Sequence, residues 1–189
     1  MNELHLTSPI PPSVNHYLAD RTIIKNGRSL PVRYKTAEAK KYQEVFSKHI
    51  QEQAVKQNWT MKPDPKQHFY VDCVFYFDRI DRDCNNYFKC MLDTITDTGL
   101  IWVDDNVTCE RVQRIYYDNL NPRVEIYIHP VEYVGVFDNR TIYDNFIKKC
   151  MTCKRYKRNC SILSKAKDGR VTGGIVDNEC LKYDEEKGE

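Results

Sequence analysis

The chain has 189 residues, 29 of them Lys or Arg and 27 Asp or Glu, for a formal net charge of +2, and 41% are hydrophobic. That length suits one ordinary domain plus an appendage, and the apolar content is enough to bury a real core. No stretch approaches about 18 consecutive apolar residues and no charged segment leads into an apolar run at the start, so neither a membrane span nor a signal peptide is expected, and a cytoplasmic protein is.

In chain order, Leu4 to Ile10 reads as a first strand, Leu4 and Leu6 alternating with polar neighbours until Pro9, Pro11 and Pro12 stop it. Ser13 to Tyr34 reads as a loop carrying Asn15, Tyr17 and Arg21, with a turn at Asn26-Gly27. Loops on a rigid sheet are where binding residues tend to sit, although a hairpin with no function fits the same residues. A long helix follows, with Thr36 as N-cap and Glu38 in its first turn; Ala39, Tyr42, Val45, Phe46 and Ile50 keep the helical period to about Gln57. Lys62 to Gln67 is a linker into a strand, His68 to Phe77, whose Phe69, Val71, Cys73, Phe75 and Phe77 make one face wholly apolar.

That strand delivers the chain into a knot of carboxylates at Asp78, Asp81 and Asp83. A helix then carries an apolar stripe, Phe88, Met91, Leu92 and Ile95, and a polar one, Asn86, Lys89 and Asp93. After a turn at Gly99 comes a second pair of acids, Asp104 and Asp105. Crowded carboxylates repel by about 1 kcal/mol per pair in water and by more when partly buried, and a hard divalent cation relieves this most simply. A lysine beside them suits a phosphodiester, whose charge it neutralises as it builds. The plainer alternatives are that the acids cap turns and that Lys89 only pairs with Asp93 one helical turn away.

Cys109 to Tyr117 and Arg123 to Ile128 read as two strands joined by a hairpin-like turn at Asp118 to Pro122. Past Pro130 the composition shifts: Tyr133 to Phe137 reads as a short extra strand, Asn139 to Lys149 as a helix, and Asp184 to Glu189 as a solvated acidic tail. Between them lie Cys150, Cys153, Cys160 and Cys180. Cytosolic cysteines stay reduced, so four in a polar segment suggest thiolate ligation of a structural zinc, beginning with the Cys150-x-x-Cys153 knuckle. The later spacings, six and nineteen intervening residues, are loose for a named finger. Free thiols, a redox pair and an iron–sulfur cluster are the alternatives. Cys73, Cys90 and Cys109 read instead as small buried hydrophobes, while Cys84, between acids, only fills space. Basic residues cluster from Arg21 to Lys41 and from Lys148 to Arg158 around an acidic centre, which fits phosphate binding as well as two solvated surfaces.

The acidic region resembles the RusA-type Holliday-junction resolvases, whose pattern runs D-x-D-N-x-x-K, then D, then G, then a flanked D-D, after an N-terminal P-P-S-x-N. Asp83, Asn86, Lys89, Asp93, Gly99, Asp104 and Asp105 match in order, as does Pro11-Pro12-Ser13-Val14-Asn15, and the resemblance covers about residues 4 to 130. It implies a domain over 1–130 and an extension over 131–189. The fold expected is α/β (α+β): a single mixed sheet with helices mainly on one face, plus a small cysteine-rich segment. It also implies a homodimeric endonuclease that binds branched DNA, four-way junctions above all, near the nucleoid or on phage DNA. Magnesium or manganese would be held at Asp83, Asn85, Asp104 and Asp105, with Lys89 on the scissile phosphate. Asn15, Tyr17, Arg21 and Lys89 would contact DNA. One departure stands out: Asn85 occupies the place of the family's second, catalytic aspartate, and an amide lacks the charge that binds a cation strongly. A junction binder that does not cut, or a zinc-dependent adaptor acting through the cysteine segment, are the rival readings.

Overall fold

The computed structural model describes residues 3–185, so the last four residues of the acidic tail lie outside the described residues. The chain divides into two compact units, one running to Val131 and the other starting at Glu132.

The first unit is a mixed α+β fold on a four-stranded sheet. Its strands are β1 (Leu4–Pro9), β4 (Phe69–Phe77), β5 (Thr108–Tyr117) and β6 (Arg123–Pro130), in the spatial order β1-β6-β4-β5. β4 and β5 are parallel, while β6 runs antiparallel to both of its neighbours. The expected hairpin between the last two strands is therefore corrected: they share no ladder, because β4 lies between them. The side chains explain the order. β6 buries Val124, Ile126 and Ile128 completely, which suits a central strand. β5, with Glu110, Arg111, Gln113 and Arg114, stays largely exposed at the edge. Asp118 starts the five-residue crossing by donating its N–H to the Phe77 carbonyl at 2.7 Å.

The alternation along β4 is complete: Phe69, Val71, Cys73, Phe75 and Phe77 are buried, and the side chains between them are half-exposed. Helix α2 (Ala37–Lys56) packs over the buried face through Ala39, Tyr42, Phe46 and Ile50. It starts where expected, with Thr36 Oγ1 accepting the Ala39 N–H at 3.2 Å. α2 also seals the outer edge of β1: Gln57 exchanges two hydrogen bonds with the His5 backbone, and His49 Nε2 accepts the Thr7 N–H at 3.2 Å. Unpaired strand edges invite pairing with other chains, so this cover has a protective role.

The segment Ser13 to Tyr34 is not a loop. A one-turn helix α1 (Val14–Tyr17) leads into a two-stranded ribbon, β2 (Leu18–Lys25) and β3 (Arg28–Lys35). Asn26 and Gly27 both take positive φ, 53° and 74°, the backbone that a tight two-residue hairpin turn demands.

On the other face of the sheet, Arg111 clasps Asp72 with two bonds of 2.6 Å, and Gln113 and His129 add bonds at 2.6 and 3.0 Å. A register shift between Cys73 and Val74 leaves Gln113 as the extra residue of β5. Arg111 also lies over the Tyr70 ring at 3.7 Å, and Arg123 over Tyr76 at the same distance.

The second unit holds α4 (Arg140–Met151), α5 (Ile162–Lys167) and a small hairpin, β7 (Ile175–Val176) with β8 (Glu179–Cys180). Asn139 caps α4 by accepting the Ile142 N–H. The strand expected at Tyr133 to Phe137 is only a Val134–Phe137 bridge closing a turn at Gly135. That glycine has φ 61°, and a Cβ there would stand 2.1 Å from the Ala166 carbonyl oxygen, so no other residue fits. The buried core of this unit is Phe137, Phe146, Ile162 and Ala166. Among the described residues no helix is long and apolar enough to cross a membrane.

Burial alone would raise the Asp72 carboxyl, but the bonds from Arg111, His129 and Gln113 outweigh it and bring the pKa down to about 2. A depressed carboxylate adds stability that is present above its unfolded-state value and is lost as the pH falls through the folded one. Stability is therefore expected to drop between about pH 4 and pH 2, and Asp72→Asn to flatten that part of the profile in urea unfolding measured across pH.

Candidate active site

Helix α3 (Asn85–Asp97) carries the site. Tyr87, Cys90, Met91, Leu92, Thr94 and Ile95 are buried against the sheet and α2, while Lys89 and Asp93 lie one turn apart on the outer side. Lys89 Nζ donates to Asp93 Oδ1 at 2.8 Å.

The helix ends at Gly99, whose φ of 63° lets the chain reverse while its N–H bonds the Thr96 carbonyl at 2.9 Å. Ile101 and Trp102 then enter the core with no exposed surface, and Trp102 Nε1 donates to Thr96 Oγ1 at 2.7 Å. This anchor brings the 3-10 turn Asp105–Val107 back beside the helix, where Asp105 Oδ2 stands 3.5 Å from Lys89 Nζ. From α1, the Tyr17 hydroxyl donates to Asp93 Oδ2 at 2.7 Å. Asp93 thus accepts from Tyr17 on one oxygen and from Lys89 on the other. The hydrogen bond to Asp93 raises the Lys89 pKa above the ordinary lysine value against partial burial, and the charges of Asp93 and Asp105 add to it. Lys89 is therefore a fixed cation and not a proton acceptor. Burial, and then the bond to Asp93, push the Tyr17 phenol up as well, so it stays a donor.

The remaining candidates are placed differently. Asp83 Oδ1 accepts the Asn85 N–H at 3.0 Å, and Asp104 Oδ1 accepts the Asn106 N–H at 3.0 Å, so both acids shape their own turns. Asn85 is the exposed first residue of α3. Asp78 pairs with Arg82, and Asp81 with Arg79 at 2.8 Å. Asp81, the other acid that could form a D-x-D with Asp83, is thereby already matched by a cation. Asn15 is exposed on α1, and Arg21 is exposed on β2 with its guanidinium over the Tyr34 ring. Tyr17, expected to face DNA, is only 3% exposed and reaches Asp93 instead.

The residue that sequence reasoning undervalued is Asp93. Its spacing to Lys89 was legible as a helix pair, but its bond to Tyr17 joins residues 76 positions apart, with no local pattern to reveal it.

Carboxylate and amide oxygens are the donors that hard divalent cations take, so Asp83, Asn85, Asp104 and Asp105 fit such an ion in kind. They do not yet fit in arrangement: among the described residues no three His, Cys, Asp or Glu side chains form a group that could hold a metal ion.

Residues 9–129, well over half of the chain, match the family model described as Endodeoxyribonuclease RusA. The matched stretch contains Tyr17, the acids and Lys89, and it ends before the cysteine-bearing unit. No curated protein matches the chain.

Two outcomes test this geometry. Asp93→Asn should lower the Lys89 pKa toward the ordinary lysine value, read from the Lys89 side-chain carbon shift in an NMR titration; an unchanged titration would show that Asp93 does not hold the ammonium. Trp102→Ala should cost about 3–5 kcal/mol in denaturant unfolding, the usual loss for a large buried aromatic.

Proposed function

The chain belongs to the endodeoxyribonuclease RusA family, and from that premise we propose that it is a junction-specific nuclease that recognises four-way DNA as a homodimer and whose cutting rate Asn85 limits. A two-fold junction calls for two identical sites, which a symmetric dimer supplies. The observation that carries the reading is the Tyr17–Asp93–Lys89–Asp105 chain of contacts, which fixes one ammonium group beside an acidic turn.

In this reading Lys89 meets a non-bridging oxygen of the scissile phosphate and offsets the charge that grows there. Asp93 and Tyr17 are positioning residues: one carboxylate, held from the far side by a phenol, keeps the exposed lysine beside the acidic turn. Exposed Asn15 and Arg21 would hold the flanking phosphates. Magnesium or manganese, the divalent cations that the family implies, would be held by Asp83 and Asp105 with Asn85 and Asp104 completing the oxygen set. When bound, such an ion supplies an activated water and further charge neutralisation. The amide at Asn85 contributes an oxygen but no charge, which weakens the hold on a divalent ion and favours a junction that is bound long before it is cut.

The deciding experiment incubates the chain and its Asn85→Asp variant with a synthetic four-way junction and magnesium. Cleavage is expected to rise by about tenfold or more in the variant, with junction affinity nearly unchanged. Equal cleavage by both proteins would refute the role given to Asn85. Failure of both to bind the junction would overturn the proposal as a whole. Lys89→Ala in the Asn85→Asp background should abolish the gained cleavage while binding persists.

A further inference from the structure

The second unit carries a constellation that DNA cleavage leaves unused. Cys150 lies in the last turn of α4, Cys153 in the turn beyond it, Cys160 ahead of α5, and Cys180 ends β8. They are spread over thirty residues, yet all four line one cavity of about 280 Å³. All four are free thiols of intermediate exposure, and Cys150, Cys160 and Cys180 pack against the unit's small core.

Two physical facts bear on what this cavity is for. Four buried apolar side chains are very little core for a compact unit of this size, and small units of this kind are ordinarily stapled by disulfides or a metal. The charged side chains that line the cavity are all basic, Lys149, Arg155, Lys157, Lys167 and Lys182, although Lys149 also pairs with Glu179. A divalent ion held by four thiolates is a doubly negative centre, and a ring of ammonium and guanidinium groups is the environment that balances it.

We propose that Cys150, Cys153, Cys160 and Cys180 bind one zinc ion as the structural centre of the second unit. A donor set made only of thiolates selects soft or borderline metals, and a closed four-sulfur tetrahedron with no open position suits zinc in a structural role. The four sulfurs are not yet gathered, since no three metal-binding side chains among the described residues form a ready group. Binding therefore draws them inward to about 2.3 Å from the ion and closes the cavity, so that the metal completes the fold of this unit. Each ligating thiol gives up its proton to solvent in the process.

The test uses the full-length chain, purified under reducing conditions. Metal analysis should find one zinc per chain that survives dialysis, and cobalt added to the metal-free protein should produce the visible absorption of a tetrahedral thiolate site, bleached by zinc. Cys150→Ser combined with Cys180→Ser should lose both signals. A chain that holds no zinc and gives no cobalt absorption overturns the proposal, and so does iron with sulfide at this position or a disulfide among these cysteines found by mass spectrometry. All readouts are metal content, absorbance and mass from residues outside 9–129, so they stand or fall independently of DNA cleavage.

Discussion

Everything in the first unit is arranged around the strict two-residue rhythm of Phe69–Phe77. Burying five apolar side chains from one strand contributes several kcal/mol, about 1.5–3 for each large one, and requires that α2 and α3 cover that side. The opposite side is left to guanidinium groups stacked on tyrosines and to the Asp72 cluster. Because Phe77 is the last buried residue, the chain leaves the sheet at Asp78, and the only route back to the parallel edge strand runs along α3 and past Trp102. The positions of Lys89 and Asp105 are consequences of that path.

The acidic knot behaves differently from what its composition implies. The acids have cationic partners: Asp78 has Arg82, Asp81 has Arg79, and Asp93 and Asp105 share Lys89. Asp83 and Asp104 hold backbone amides. Like-charge repulsion is thus relieved locally, and the neutral amide of Asn85 adds no further negative charge to the group.

Much of this was legible in the residues themselves. The rhythm of β4, the Thr36 cap, the stripe on α3 and the Asn26-Gly27 turn are local patterns, and local patterns survive folding. The partners of β5 and β6 are not legible locally, because a five-residue loop between two strands signals a hairpin without specifying one. The contrast between Val124, Ile126 and Ile128 on β6 and the charged run of β5 already distinguished a central strand from an edge. β2 and β3 are legible only as the hairpin alternative that the Asn26-Gly27 turn allows, because both faces of that ribbon are exposed and no alternation marks them. The bond from Tyr17 to Asp93 is a property of the chain path and leaves no trace in spacing, whereas of the four cysteines around one cavity only the Cys150-x-x-Cys153 pair is marked by its spacing.

The pairing of β1 has a consequence for how the protein is made. Leu4 and Leu6 leave the ribosome well before the strand that receives them, β6, which follows some 120 residues later. α2 arrives much sooner, and its Gln57 and His49 occupy the outer rim of β1 while the inner rim waits. A nascent chain therefore has one of the two sticky borders of β1 covered while it waits for β6, and the sheet can close only once the whole first unit has emerged.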